Sequence, residues 1–496
     1  MKKAPSGISP VFAVNRKAPK SLYKQVYEGY RQAIVGGNLR AGQRVPSTRV
    51  LAAELGISRI PAVNAYAQLL AEGYFESRVG SGTFVCASLP SPPAAPADRR
   101  AAGERARRRF HLPAIRSPLL PPYERPPWMR GQGAFSFSQP DRDAFPFGIW
   151  SRLLSRYGRN LHARDLQYGG PMGLLDLREA IGAYLRTARG VRCEAAQIMI
   201  VSGSQHALDI TTRTLLEPGS TVWVEEPGYW LARQTLAAAG CRLALVPVDQ
   251  EGLNVAAGIK RCPQARAAYV APSHQYPLGT TMSAARRLQL LDWAESARAW
   301  IVEDDYDSEY RYDSNPLASL QGLDEAGRVI YIGTFSKVLF PSLRVGYLVV
   351  PSGLVAQFAA VRYAMDVGPP HLPQALLADF LREGHFARHL RRMRGIYGER
   401  RKVLVNCLQG EFGERLEIQG APAGLHLTVT LAKGGRDRSL SLRAAQQNLW
   451  LWPLSPAYSG PAPRQGFILG FGGTRTAEIP SAVRRMREIL AAEPRR

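Results

Sequence analysis

A chain of 496 residues, 45% hydrophobic and 21% charged, has the makeup of an ordinary soluble globular protein, and its length predicts about three domains. A formal charge of +24 and a pI near 10.2 point to a polyanionic partner, nucleic acid first and an anionic membrane surface second. No apolar run is long enough for a transmembrane helix, prolines break any signal core behind Met1-Lys2-Lys3, and five scattered cysteines form no C-x-x-C pair, so membrane insertion, secretion, a disulfide framework and a zinc site are not expected and a cytoplasmic location is.

Residues 1–20 read as a loose arm. An apolar rhythm then runs through Leu22, Val26, Tyr30, Ala33 and Ile34, spaced for one helical face and ended by Gly36-Gly37. Ser47 caps a short second helix, Thr48 to Leu55, which Gly56 stops. Ser58 caps a third, Arg59 to Ala71, with Pro61 tolerated in its first turn. Extended pieces, Tyr74–Ser77 and Thr83–Val85, flank Arg78-Val79-Gly80-Ser81-Gly82 and predict a hairpin with a glycine tip. A helix–turn–helix places its second helix in the DNA major groove. Hydroxyls and amides at Ser47, Thr48 and Ser58 can hold phosphates, and Arg49 and Arg59 can reach guanine edges. The hairpin tip offers Arg78 and glycine amides. A small three-helix unit with a solvated basic face fits the same pattern.

The motifs in this stretch decide between them. Leu39-Arg40-Ala41-Gly42-Gln43-Arg44-Val45-Pro46-Ser47-Thr48-Arg49, Leu51–Arg59, Leu69-Leu70-Ala71-Glu72-Gly73-Tyr74 and Gly80-Ser81-Gly82-Thr83-Phe84-Val85 resemble the GntR-type winged helix–turn–helix. That resemblance implies DNA contacts from Arg44, Ser47, Thr48, Arg49, Ser58, Arg59, Arg78, Gly80 and Ser81. One departure stands out: Ile60-Pro61 follow Ser58-Arg59 where the family often has a polar pair.

Residues 87–132 turn proline-rich, with arginines at 99–100 and 105–109, and predict a semi-stiff tether. Its arginines either add nonspecific DNA attraction or only solubility. From Phe135 helical patterns (Asp176–Arg186, Ala207–Leu216, Ala284–Ala297) alternate with strand-like runs (Gln197–Val201, Thr221–Glu225, Arg242–Pro247, Ala267–Val270, Trp300–Glu303). Such alternation predicts an α/β body with a mainly parallel sheet, whose ligands sit at the carboxyl ends of strands. Candidate motifs fall at those ends. Ser204 and Gln205 open a helix after a strand and can hold a phosphate. Tyr229, after the next strand, can stack on an aromatic ring. Glu303-Asp304-Asp305-Tyr306 places carboxylates and a phenol at a strand end; a carboxylate there can keep a pyridine nitrogen protonated, and no histidine nearby in sequence supports a metal instead. Thr334-Phe335-Ser336-Lys337 holds a lysine in an apolar setting, where its amine pKa falls and it can attack an aldehyde. Arg344, seven residues on, offers a fork for phosphate. An aldehyde and a phosphate on one small molecule describe pyridoxal 5′-phosphate (PLP).

These elements resemble the fold-type I aminotransferase domain, and with the N-terminal module they resemble the MocR subfamily of GntR regulators. Supporting stretches include Tyr168-Gly169-Gly170-Pro171-Met172-Gly173 and Ala271-Pro272-Ser273-His274-Gln275-Tyr276-Pro277-Leu278-Gly279. The resemblance implies a winged helix–turn–helix over 15–86, a linker over 87–132, and over 133–496 a PLP-dependent transferase fold type I body, mainly parallel in its sheet, with a smaller C-terminal α+β domain. It implies a Schiff base between Lys337 and PLP, Asp304 on the pyridine nitrogen and Tyr306 on the ring hydroxyl. It also implies Tyr229 on the ring face, and Ser204, Gln205, Thr334 and Arg344 on the phosphate. Tyr276 replaces the asparagine usual before the Pro-x-Gly turn. The late strand Phe467–Phe471 carries Leu469 in place of the arginine that clamps a substrate carboxylate. The resulting expectation is a homodimeric transcriptional regulator, with a linker long enough for swapped heads, that binds double-stranded operator DNA and senses PLP or a small amine. An active aminotransferase with a DNA-binding appendage is the alternative.

Overall fold

The computed structural model describes residues 12–78, 80–87, 125–131, 133–312, 318–420, 422–431 and 436–492. They fall into two compact units, one before residue 115 and one from there on. The expected tether lies largely outside the described residues, its arginine run at 99–109 included.

The first unit is built on three helices, α1 (Leu22–Val35), α2 (Thr48–Glu54) and α3 (Arg59–Ala71), and a hairpin of β1 (Phe75–Arg78) and β2 (Gly82–Val85). The Ser47 hydroxyl accepts the Val50 N–H at 3.3 Å and so satisfies a free amide at the start of α2. Ser58 holds the same position before α3, but its side chain takes no capping bond. Core residues repeat at helical spacing: Val26, Tyr30 and Ala33 from α1 meet Ala62, Ala65, Tyr66 and Leu69 from α3. The Tyr30, Tyr66 and Phe75 rings meet edge to face at 5.0–5.6 Å, and the Tyr66 hydroxyl donates to the Pro46 carbonyl at 2.7 Å. These contacts fix the angle of α3 against the turn that leads into α2.

The second unit begins with α4 (Phe147–Arg159) and α5 (Leu175–Arg189). The chain then alternates through β3 (Ile198–Val201), α6 (Ser204–Leu215), β4 (Thr221–Glu226), α7 (Trp230–Ala238), β5 (Arg242–Asp249), β6 (Gly252–Leu253), α8 (Val255–Arg261), β7 (Ala267–Val270), α9 (Ala284–Ser296), β8 (Trp300–Asp305), α10 (Leu320–Leu323), β9 (Val329–Thr334) and β10 (Gly346–Val349). The eight strands form one sheet in the order β3-β10-β9-β8-β7-β4-β5-β6. Strands β5, β4, β7, β8 and β9 run parallel, while β10 is antiparallel to both β9 and β3. Alternate residues face opposite layers: Val222 and Val224 meet α6, α7 and Phe358, while Trp223 on the same strand stacks on Trp293 of α9 at 3.7 Å. Three long helices follow, α11 (Val355–Asp366), α12 (His371–Arg382) and α13 (His385–Phe412). A four-stranded antiparallel sheet completes the unit, in the order β11 (Leu416–Gln419), β12 (His426–Leu431), β14 (Gly466–Gly470), β13 (Trp452–Pro453), with helices α14 (Asp437–Gln446) and α15 (Ile479–Ala491). The expected α/β body with a mainly parallel sheet is what folds. Among the described residues no helix is long and apolar enough to cross a membrane.

Candidate functional site

Strand order brings the motifs together. Gly346 of β10 pairs with Val201 of β3 on one side and with Thr334 of β9 on the other. The turn into α6, the end of β9 and Arg344 therefore share one edge of the sheet. Gly203 is required in that turn: its φ is 101°, and a Cβ there would meet the Arg344 guanidinium at 3.3 Å. A Cβ on Gly346 would sit 2.9 Å from the Gly203 Cα, so both residues keep the backbones close.

A cavity of about 220 Å³ opens at this edge, and all eight nominated cofactor residues line it: Ser204, Gln205, Tyr229, Asp304, Tyr306, Thr334, Lys337 and Arg344. Phe137, Ser138, Glu225, Tyr269, Tyr276 and Ser336 line it as well. Burial pushes the Lys337 ammonium pKa down, against the pull of Asp307 and Asp304, so a reactive free amine is more accessible there than on a surface lysine. Its Nζ donates to the Ser138 hydroxyl. Arg344 has no hydrogen-bond or ion-pair partner among the described residues, so its fork is available to an anion. The α6 N-terminus, with Ser204 and Gln205, opens onto the same cavity.

The run Glu303-Asp304-Asp305 is sorted by strand alternation. Asp304 turns to the cavity side, accepts from the Tyr269 hydroxyl, and leaves Oδ1 buried without a partner. Burial raises its pKa to about 6. Asp305 instead pairs with Arg189 at 2.8 Å and accepts from Tyr331 at 2.5 Å. Glu303 accepts the Leu320 and Gln321 amides, both at 2.9 Å. Asp305 also keeps one buried oxygen without a partner, but of the three carboxyls only that of Asp304 lines the cavity. Glu225 is the second acid on the cavity; burial lifts its pKa to about 8, which keeps it protonated near neutral pH.

Two expectations from sequence need correction. Histidines do reach the acid cluster: His274, just after β7, lies 3.0 Å from Asp307 and 3.2 Å from the Tyr306 hydroxyl, and the His426 ring of β12 lies tilted beside it at 4.7 Å. Their ligand-capable atoms and those of Asp307 lie within 4.8 Å of one another. Both histidines are far from Tyr306 in sequence, and only the fold joins them. Both contacts fall on Nδ1 of His274, which sits between Asp307 and the phenol, while its Nε2 is buried without a partner. In the late strand, Ile468 rather than Leu469 faces the cavity side, packing with Tyr276, Phe137 and Trp452, while Leu469 enters the main core. Neither side chain can hold a carboxylate. Arg475 is tied to Asp143 at 2.7 Å, far more exposed than the cavity, and Lys337 and Arg344 are the only cations among the cavity's lining residues.

In the first unit the nine nominated DNA residues are exposed, apart from a partly buried Thr48. Arg59 Nε reaches the Thr48 hydroxyl at 3.4 Å, which draws the starts of α2 and α3 together. Arg44 lies against Gly82 of the hairpin. Arg78 lies over the Phe84 ring and bonds Glu76 at 2.5 Å, so any DNA contact competes with that pair. Gly80 and Ser81 form the exposed tip.

Comparison with known proteins agrees with both halves. Residues 22–85 match the family described as bacterial regulatory proteins, gntR family, and residues 155–458 match aminotransferase class I and II. The chain is 40% identical to a probable rhizopine catabolism regulatory protein, MocR, of Rhizobium meliloti, across 97% of this chain and 96% of that one. It is 32% identical to the HTH-type pyridoxine biosynthesis transcriptional regulator PdxR of Corynebacterium glutamicum, across 93% and 94%. Among solved structures, LysN, an α-aminoadipate aminotransferase of Thermus thermophilus complexed with N-(5′-phosphopyridoxyl)-L-leucine, aligns with a TM-score of 0.68 at 28% identity, across 73% of this chain and 93% of that one.

Proposed function

The chain belongs to the MocR-type GntR transcriptional regulators, which join a DNA-binding head to an aminotransferase body, and from that premise we propose that its body binds PLP and reports the occupancy of that site to the head. The carrying observation is the convergence, in one cavity, of a desolvated Lys337, an unpartnered Arg344 and an orphaned Asp304 oxygen. They match the aldehyde, the phosphate and the pyridine nitrogen of PLP. Lys337 bonds the aldehyde carbon. Arg344, Thr334 and the amides and side chains of Ser204 and Gln205 hold the phosphate. Asp304 accepts from the pyridine N–H, and Tyr306, beside His274, bonds the ring hydroxyl. Tyr229 covers one face of the ring. When bound, PLP supplies an electrophilic carbon that exchanges one amine for another.

Net transamination of α-amino acids is not part of this reading, because among the described residues no further cation lines the cavity to hold a substrate carboxylate. The effector is PLP itself or a small amine that displaces Lys337. The name of the Corynebacterium relative makes the vitamer the first effector to test. We assign residues 15–86 to the head, 87–132 to the tether and 133–496 to the body, in a cytoplasmic homodimer whose two heads meet two half-sites of an operator. An effector changes DNA affinity only by binding the two states of the protein unequally. The deciding experiment selects genomic DNA fragments with the purified chain, then titrates one fragment with protein stripped of PLP, reloaded, and reloaded with a panel of amines. A change in DNA affinity on reloading or on amine addition is expected. Identical affinity in every state refutes the coupling, and steady keto-acid-dependent turnover refutes the non-enzymatic reading.

A further inference from the structure

Helix α3 presents an apolar surface where a DNA-facing helix is ordinarily polar. Its core side is Ala62, Ala65, Tyr66 and Leu69, all buried. The opposite side, at i, i+4 and i+7, is Ile60, Asn64 and Ala67, all exposed. Ile60 is 70% exposed and Val63 beside it 41%, and neither belongs to the core of its unit. No acid occurs anywhere on α3, and Arg59 opens the helix next to Ile60, its Nε 3.4 Å from the Thr48 hydroxyl at the start of α2. Exposed isoleucine is unfavourable in water, so a partner that buries it has apolar surface to offer. The arginine at the helix start and the absence of acids favour an anionic partner. Among major-groove base edges the thymine C5-methyl is the largest apolar group. We infer that Ile60 reads thymine in the operator by methyl contact, making it a specificity-determining residue of the head.

This inference rests on the DNA-binding reading and deepens it. The departure from a polar pair at Ile60-Pro61 is then a change of base preference, with methyl contact in place of hydrogen bonding. Asn64, one turn further on the same side, carries a carboxamide that can bond adenine N6 and N7. The two side chains together favour A·T pairs under α3, while Arg49 and Arg59 at the helix starts remain available for phosphate or guanine.

Thymine and uracil differ at this edge by the methyl alone, which gives a clean test. Duplexes are selected from a random pool with the full chain, and each thymine of the consensus is replaced in turn by deoxyuridine. At one thymine per half-site, replacement weakens binding by the native chain roughly fourfold, the effect of one buried methyl. Ile60→Ala binds the thymine and uracil duplexes equally; the site is exposed and alanine favours helix, so folding is preserved. As a converse, 5-methylcytosine at a neighbouring mismatched position restores part of the affinity for the native chain and none for the variant. A native chain indifferent to uracil at every position, or an Ile60→Ala variant as sensitive as the native chain, overturns the inference. So does an Ile60→Ala variant that keeps its uracil sensitivity but sediments as a smaller species, which makes the surface a contact between copies. A chain that enriches no sequence from the pool refutes DNA binding itself, a different outcome from uracil indifference.

Discussion

Replacing Asp304 by asparagine separates what this carboxyl does for the PLP-free protein from what it does for the bound cofactor. The two effects have opposite sign. Without PLP, Oδ1 is buried and unpartnered, and burial holds the carboxyl near a pKa of about 6 against an ordinary 3.8. An acid with a raised folded-state pKa favours folding fully below its unfolded value and loses that contribution as pH rises through its folded value. Above pH 6 the ionised group therefore costs the PLP-free chain roughly 3 kcal/mol. The replacement carboxamide would keep the bond from Tyr269 through its carbonyl and remove that cost. Asp304→Asn without PLP should then resist denaturant better than the native chain at pH 7.5, with the gap closing as pH falls towards 4. With PLP the order reverses. Losing a charge-assisted hydrogen bond to the pyridine N–H costs about 1.5–3 kcal/mol, or roughly 10- to 150-fold in affinity. Titration by absorbance and chemical denaturation at two pH values read both effects. Unchanged PLP affinity in Asp304→Asn refutes the placement of the pyridine nitrogen, and a destabilised PLP-free variant refutes the account of the buried charge.

Three further outcomes follow from the same geometry. At equimolar PLP, borohydride should fix a stoichiometric label at Lys337 of the native chain, seen in its peptide mass spectrum, and Lys337→Ala should keep only the minor labelling of its surface amines. Arg344→Ala should weaken PLP by roughly 10- to 150-fold but leave pyridoxal, which has no phosphate, nearly unaffected; equal losses for both would mean that the arginine does not face the phosphate. Operator affinity should fall steeply with salt, and Arg49→Ala should lower the slope of log K against log salt by about one, uniformly across sequences.

Much of this was legible in the sequence because the signals are local. The limits of α3, β4, β7 and β8 follow from apolar period and from Ser, Gly and Pro at the ends, and the structure moves them by no more than a residue or two. Lys337, Asp304 and Tyr306 stand at or just beyond the carboxyl ends of parallel strands, which a parallel sheet gathers at one edge, whereas Arg344 precedes β10 and reaches that edge only because β10 runs antiparallel. Residues that depend on the order itself were not legible. Tyr269 precedes the last residue of β7, and only the β7–β8 pairing brings its hydroxyl to Asp304. Ser138 reaches Lys337 from a segment before α4 that carries no motif. His274 and His426 stand 152 positions apart and meet only where β12 of the second sheet passes the turn after β7.

Strand alternation explains why the late strand misleads. Matching Phe467–Phe471 against an enzyme motif puts attention on Leu469, yet Leu469 pairs with Leu427 in β12 and its side chain belongs to the main core. Ile468 is the neighbour that turns towards Tyr276 and Phe137. In a strand a one-residue slip exchanges the two faces, so a motif match can keep its chemistry and still name the wrong side chain. The conclusion survives here because both residues are apolar and neither can hold a carboxylate. On the proposed reading the difference from a transaminase lies in the whole wall: of the two cations among the described lining residues, one would meet the aldehyde and the other the phosphate, leaving none for a substrate carboxylate. On that reading an amine would be selected without a charged handle, by the aromatic side made by Phe137 and Tyr276.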